Sequence, residues 1–267
     1  MKEIIKQLCR DIEKENRIKI LFAVENGSRA WGMESKNSDY DVRFVFVRPL
    51  EDYIQINKYP EVIEVAFDRK GKPHHIQGSF IDFSGFDIFK FARMLSSSNP
   101  TVIEWLISDI IYYGKQDLVF KKFAVENFNP VSLYHHYKSM CRNNYLKYLK
   151  SKKQVTYKRY LYAMRGLINA KWVIHNKSVP PIKFTDALKQ SKIKILIPGG
   201  IIRKLNEIIK LKSKGKEKGI IQNIVRMDKY IEDFLKDKSE EPKMKSHATL
   251  NELNEELRKI VLNERIL

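Results

Sequence analysis

Apolar residues recur along this chain with two different periods, and the change falls near residue 85. Over residues 2–16, Ile4, Ile5, Leu8 and Ile12 return at helical spacing and predict a first helix. Ile18–Val24 is then a β-branched and aromatic run of strand length. Val42–Val47 predicts a second strand, ended by Pro49. Val62, Val65 and Phe67 predict a third, closed by the turn from Arg69 to Pro73, and Ser79–Phe83 a short fourth. From Phe86 onward the pattern is nearly all helical. Ser96–Pro100 and Asn129-Pro130 interrupt it, because proline disfavours helix in the residue before it. Helices are expected over 131–150, 156–176, 198–212, 219–236 and 249–265, with turns at Val179–Pro181 and Pro198–Gly200. Thr249 and Glu252 form a capping-box pattern at the start of the last one. The polar stretch 237–247 reads as a linker before it. The pattern therefore predicts an α+β domain over 1–130 and an all-helical domain over 131–267.

Charge divides the chain at the same place. Residues 1–130 carry 19 basic and 19 acidic side chains, whereas 131–218 carry 22 basic and 3 acidic. The whole excess of the +18 chain lies in that one segment, which predicts a polyanionic partner and argues against a cationic substrate such as an aminoglycoside. Cys9 and Cys141 are the only cysteines, too few for a disulfide scaffold or a thiolate metal cage. No apolar run reaches the length of a membrane span and the amino terminus has no signal core, so a soluble, cytoplasmic protein without a membrane partner is expected.

The candidate chemistry sits between the first two predicted strands. Gly27-Ser28 follows a strand, and such a turn presents backbone N–H groups and a hydroxyl to phosphate oxygens. Asp39 and Asp41 stand at i and i+2 entering the next strand, so alternation puts both carboxylates on one face. Paired carboxylates beside a phosphate-holding turn suit two divalent cations, and Mg²⁺ favours oxygen ligands shared with substrate phosphates. Asp82, flanked by Ile81 and Phe83, is the candidate third ligand, to hold the catalytic ion and orient or deprotonate an attacking hydroxyl.

These residues resemble the DNA polymerase β-type nucleotidyltransferase superfamily. The stretches Gly27–Gly32, Ser38–Arg43, Asn99–Leu106, Lys158–Arg165 and Pro180–Phe184 resemble its RNA-ligase-associated branch, a likeness that spans about 27–185. Phe89 stands where that branch carries an arginine. The resemblance implies a mixed-sheet, polymerase β palm-like first domain and transfer of an NMP from an NTP to an acceptor hydroxyl with release of pyrophosphate. It implies Mg²⁺ as cofactor, two ions with Mn²⁺ as a substitute, held by Asp39, Asp41 and Asp82, and phosphate contacts from Gly27 and Ser28.

Arg29 and Arg43 flank the carboxylates and are expected to bind the nucleotide, Arg43 by contact with the triphosphate or else paired with an aspartate. Trp31 either stacks on a base or anchors its own loop. Lys158, Tyr162 and Arg165 fall at i, i+4 and i+7, one stripe of a helix, and are expected to close over the nucleotide. Glu104 and Trp105 are expected to hold their helix in place, His74-His75 and His135-His136 to be surface residues, and Cys141 to be packing. RNA, as a tRNA or broken RNA end, is the acceptor best suited to the basic segment 131–218. The alternatives are adenylylation of a protein, in the manner of an antitoxin, and a non-catalytic RNA-binding protein.

Overall fold

The computed structural model describes residues 1–152, 154–216, 219–237, 239, 242 and 250–262. The fold is α+β and divides into two compact units. The first holds residues 1–30, 38–127 and the chain from 247, and the second holds 31–37 and 128–246.

In the first unit, α1 (Lys2–Asn16) buries Ile5, Leu8, Cys9 and Ile12 on one face, as the helical spacing of its apolar residues predicts. It stops at Arg17, which takes the left-handed conformation and bonds back to Glu13. Then come β1 (Lys19–Asn26), the single turn α2 (Gly27–Ala30), β2 (Tyr40–Val47), the single turn α3 (Leu50–Tyr53), β3 (Val62–Phe67) and β4 (Ile81–Asp87). After them follow α4 (Ile88–Ser96), α5 (Pro100–Ile107), β5 (Ile111–Gly114) and α6 (Leu118–Glu126). The five strands are ordered β3-β4-β2-β1-β5. The sheet is mixed, since β2 and β4 run parallel and the other neighbours antiparallel. Strands β1 and β2 are apolar over most of their length because both faces of the sheet are covered. Ile5 and Ile12 of α1 pack with Ile20, Phe44, Phe46 and Phe83 on one side, and Phe22 meets Phe91 of α4 on the other.

Two expectations are corrected here. The region after Phe86, expected to be nearly all helical, contributes a strand to the sheet, because β5 adds an edge strand against β1. Its run Ile111-Tyr-Tyr-Gly114 is a strand pattern held between two short helices. The fourth strand is Ile81–Asp87 rather than Ser79–Phe83, since pairing with β2 carries it on to Asp87. Asp87 ends the strand and caps α4, accepting the Phe89 amide at 2.9 Å and the Tyr53 hydroxyl at 2.7 Å. Phe89 itself packs edge-on to Tyr53.

In the second unit, α7 (Pro130–Tyr148) and α8 (Tyr157–Asn176) form the central pair, with the short strand β6 (Val155–Thr156) just ahead of α8. Gly166 makes their close approach possible: a Cβ there would stand 2.7 Å from the Cys141 nitrogen and 2.9 Å from the Tyr137 oxygen. Around them lie α9 (Phe184–Lys189), α10 (Ser191–Leu196) and α11 (Gly199–Ser213). The strand β7 (Ile220–Ile221) pairs with β6 and precedes α12 (Val225–Lys236), so the helix expected from 219 begins six residues later. The last helix, α13 (Asn251–Leu262), was expected in the helical domain. It packs instead on α4 and α6 of the first unit, through buried Leu253 and Val261. Thr249 of the expected capping box and most of the expected linker 237–247 lie outside the described residues. Among the described residues no helix is long and apolar enough to cross a membrane.

Candidate active site

The parallel pairing of β2 with β4 brings the chemistry together, because Asp41 stands directly opposite Asp82 in its register. Neighbours in register point to the same face, so two carboxylates lie side by side on adjacent strands. Arg43, two residues along β2, shares that face and joins them. Its Nη2 donates to Asp82 Oδ2 at 2.9 Å and to Asp41 Oδ1 at 3.4 Å. Its Nη1 donates to the Val42 and Asp82 carbonyls at 3.0 and 3.1 Å. Of the two roles expected for Arg43, pairing with aspartate is the one the geometry displays. A planar guanidinium suits such a fork of carboxylates better than an ammonium does.

The Gly-Ser turn abuts the same carboxylates. Gly27 adopts φ +69°, and a Cβ there would come within 2.0 Å of Asp41 Oδ2. Glycine is therefore required twice over, for the backbone angle and for the space. Ser28 is buried beside it. Asp39 is exposed just ahead of β2. Its carbonyl accepts Arg29 Nε at 3.1 Å, and the Ser38 carbonyl accepts Arg29 Nη2 at 2.6 Å. The Arg29 guanidinium also lies 3.8 Å from the Tyr40 ring centroid. Arg29 thus ties the Gly-Ser turn to the backbone that carries the aspartates.

Glu25 belongs to this site and sequence reasoning missed it. It is fully buried at the end of β1. It accepts the Asp41 amide at 3.0 Å and the Tyr112 hydroxyl at 2.5 Å, while its own carbonyl accepts Ser108 Oγ at 2.7 Å. Burial pushes its carboxyl up to about 7, against the lowering pull of the Tyr112 hydroxyl and the Asp41 amide. The available signal was an acid at the end of the apolar run Leu21–Val24, immediately before Asn26 and the Gly-Ser turn.

The remaining candidates lie in the second unit, as Trp31 does. Lys158 Nζ lies 5.6 Å from the Tyr162 ring, Tyr162 meets Trp31 edge-on at 5.8 Å, and the Arg165 guanidinium lies 3.8 Å from the Trp31 ring. Arg165 is only 3% exposed, so this member of the expected stripe is buried against Trp31. The Trp31 carbonyl accepts the Phe184 amide at 2.9 Å, which joins the loop to the start of α9. Trp31 is therefore an anchor of its own loop, one of the two roles expected for it.

Glu104 and Trp105 are buried in α5, and Trp105 packs on Phe86. His74, His75, His135 and His136 are exposed. Cys141 is buried, and burial pushes its thiol up to about 12.

Among the described residues no group of three or more acids, histidines or cysteines is drawn together tightly enough to hold a metal. Asp41 and Asp82 nevertheless fit Mg²⁺ in kind. Both offer hard oxygen donors, and both already share one cation, the Arg43 guanidinium. Asn26, opposite Asp41 in the antiparallel register with β1, adds a buried Oδ1 that has no hydrogen-bond partner among the described residues.

The family model of the RNA repair pathway DNA polymerase beta family, RlaP, matches residues 1–259. It reaches well past the 27–185 spanned by the motifs. The Bacillus subtilis protein YcgL, described as uncharacterized, is 31% identical over 265 residues, covering 98% of this chain and 96% of its own. A crystal structure of a nucleotidyltransferase-like protein from Exiguobacterium sibiricum aligns with 97% of this chain and 87% of its own at TM-score 0.31 and 14% identity.

Proposed function

The chain belongs to the RNA repair pathway DNA polymerase beta family and is a polymerase β-type nucleotidyltransferase, and from that premise we propose that it transfers an NMP from an NTP to a hydroxyl at an RNA end. The acceptor oxygen attacks the α-phosphorus, the bond from that phosphorus to the bridging oxygen breaks, and pyrophosphate leaves. The observation that supports this reading best is the Asp41–Asp82 pair set in strand register beside the Gly27-Ser28 turn.

Asp39, Asp41 and Asp82 would hold Mg²⁺, with Mn²⁺ as a substitute. Such an ion supplies neutralisation of the phosphate charge when bound. Asp82 orients the attacking hydroxyl or takes its proton. Gly27 and Ser28 receive the β- and γ-phosphates with backbone N–H and hydroxyl donors. Arg29 holds the turn that presents them, and Glu25 holds the Asp41 amide from behind. Within the second unit Lys158, Tyr162 and Arg165 would be the nucleotide contacts, with Tyr162 and Arg165 packed on Trp31. Catalysis by such a site is mainly positioning plus charge stabilisation.

The RNA acceptor is supported by the charge of the second unit, where 29 basic residues face 10 acidic ones, while the first unit has 21 and 22. The test is incubation with each α-³²P-labelled NTP, Mg²⁺ and a mixture of cellular RNA and protein. Label is expected in RNA. Label in protein alone would overturn the assigned acceptor, and no labelled product with any NTP would overturn the transfer.

A further inference from the structure

The helical unit carries a second feature that the transfer chemistry does not use. A groove of about 600 Å³ runs between α7 and α12. Four cations line it, Lys138, Arg142, Lys150 and Lys236, against one carboxylate, Glu232. That carboxylate is already engaged: it accepts the Tyr145 hydroxyl at 2.8 Å and lies 3.9 Å from Lys236. Two of the cations are likewise committed. Lys138 donates to the Asp237 carbonyl at 2.8 Å and lies over the Tyr134 and Phe234 rings, so it braces the α7 side of the groove. Arg142 and Lys150 are exposed.

The cations form a track rather than a cluster. Lys138 and Arg142 are one helical turn apart, and Lys150 lies just past the end of α7, about 18 Å along from Lys138. A compact anion would meet only part of such a row, whereas a chain of phosphates meets all of it. Between the cations the groove presents apolar surface, with Leu235 half-buried and Leu146 45% exposed. Nucleobases have flat apolar faces to lay there, which the side chains of an acidic polypeptide do not.

We propose that this α7–α12 groove binds the phosphate backbone of single-stranded acceptor RNA, with Arg142 and Lys150 as its principal phosphate contacts. The inference rests on the reading of RNA as acceptor, and it assigns the face of the helical unit that grips it.

The test is binding of a fluorescent single-stranded oligoribonucleotide to the full chain across a salt series. Three proteins are compared: wild type, Arg142→Gln/Lys150→Gln, and the control Lys192→Gln/Lys194→Gln, which removes the same charge from exposed positions on α10. Losing two phosphate contacts should shrink the log–log salt slope by about 1.4 and weaken binding roughly 25-fold at 0.1 M salt. The control should change affinity less than threefold. Equal weakening by both double variants would overturn the groove and leave RNA as the acceptor intact. No binding by wild type at low salt would overturn the RNA reading itself. Displacement of the RNA by an equal charge concentration of polyglutamate would overturn the choice of RNA over an acidic protein. Matching thermal melts for the three proteins ensure that a loss of binding is not a loss of fold.

Discussion

The paired strands β2 and β4 and the long helix α8 both carry candidate site residues, but they hold them in different ways. On the strands, backbone register sets the geometry: Asp41 faces Asp82 because the parallel ladder puts them opposite, and Arg43 completes the group on the same face. On α8, side chains set it: Arg165 lies over the Trp31 ring and Tyr162 meets Trp31 edge-on, with Lys158 at the outer end. A register is fixed by many hydrogen bonds and is costly to shift by even one residue, since every side chain would change face. A stack of rings and cations is worth about 0.5–2 kcal/mol per contact and adjusts when one member changes. The strand site is therefore expected to behave as an all-or-none unit and the helix stack as a graded one.

Substitutions at four positions sharpen or break that contrast. Asp82→Asn should have the largest effect, lowering nucleotidyl transfer by more than the ~10²–10³ typical of losing one stabilising donor, with the thermal melt nearly unchanged because the carboxylate is partly solvated. A loss below tenfold would remove Asp82 from the site. Gly27→Ala comes next. It pushes a Cβ into Asp41 Oδ2 and asks alanine to adopt φ +69°, at a cost of about 1–3 kcal/mol in backbone strain. Transfer should fall at least tenfold and the melting temperature should drop. Full activity would show that the turn does not need to touch Asp41.

Glu25→Ala should cost stability before it costs chemistry. It leaves the Asp41 amide and the Tyr112 hydroxyl without their acceptor, about 1–3 kcal/mol for each buried group. Glu25→Gln keeps an oxygen for the Asp41 amide and should recover most of that in chemical denaturation. Equal destabilisation by both variants would contradict the positioning role. Arg165→Lys should have the smallest effect, since it exchanges a planar stacking cation for a point charge. A stability loss of about 1–2 kcal/mol is expected, with transfer reduced only a few-fold. An effect as large as that of Asp82→Asn would contradict the graded behaviour of the stack.

Much of this contrast was legible in the sequence, and the parts that were not share one cause. Alternation along β2 placed Asp41 and Arg43 on one face, and the i, i+4, i+7 spacing placed Lys158, Tyr162 and Arg165 on one stripe. Periodicity assigns a shared face but does not say what that face meets. Hence Arg165 read as a substrate contact, although Trp31 covers it. Pairing between distant segments was equally invisible. The alignment of Asp41 with Asp82, the addition of β5 to the sheet edge and the return of α13 to α4 and α6 all depend on tertiary contacts. Glu25 escaped for the same reason. An acid at the end of a strand looks like a solvated terminus until α5 and β5 close over it with Ser108 and Tyr112.

The central claim, that the strand-register carboxylates carry nucleotidyl transfer, is tested most directly by single-turnover transfer of label from α-³²P-NTP to an RNA end, comparing wild type with Asp41→Asn. The account predicts labelled RNA and pyrophosphate with wild type and no transfer above background with the variant, the two proteins melting alike. Transfer by Asp41→Asn at near the wild-type rate would contradict it.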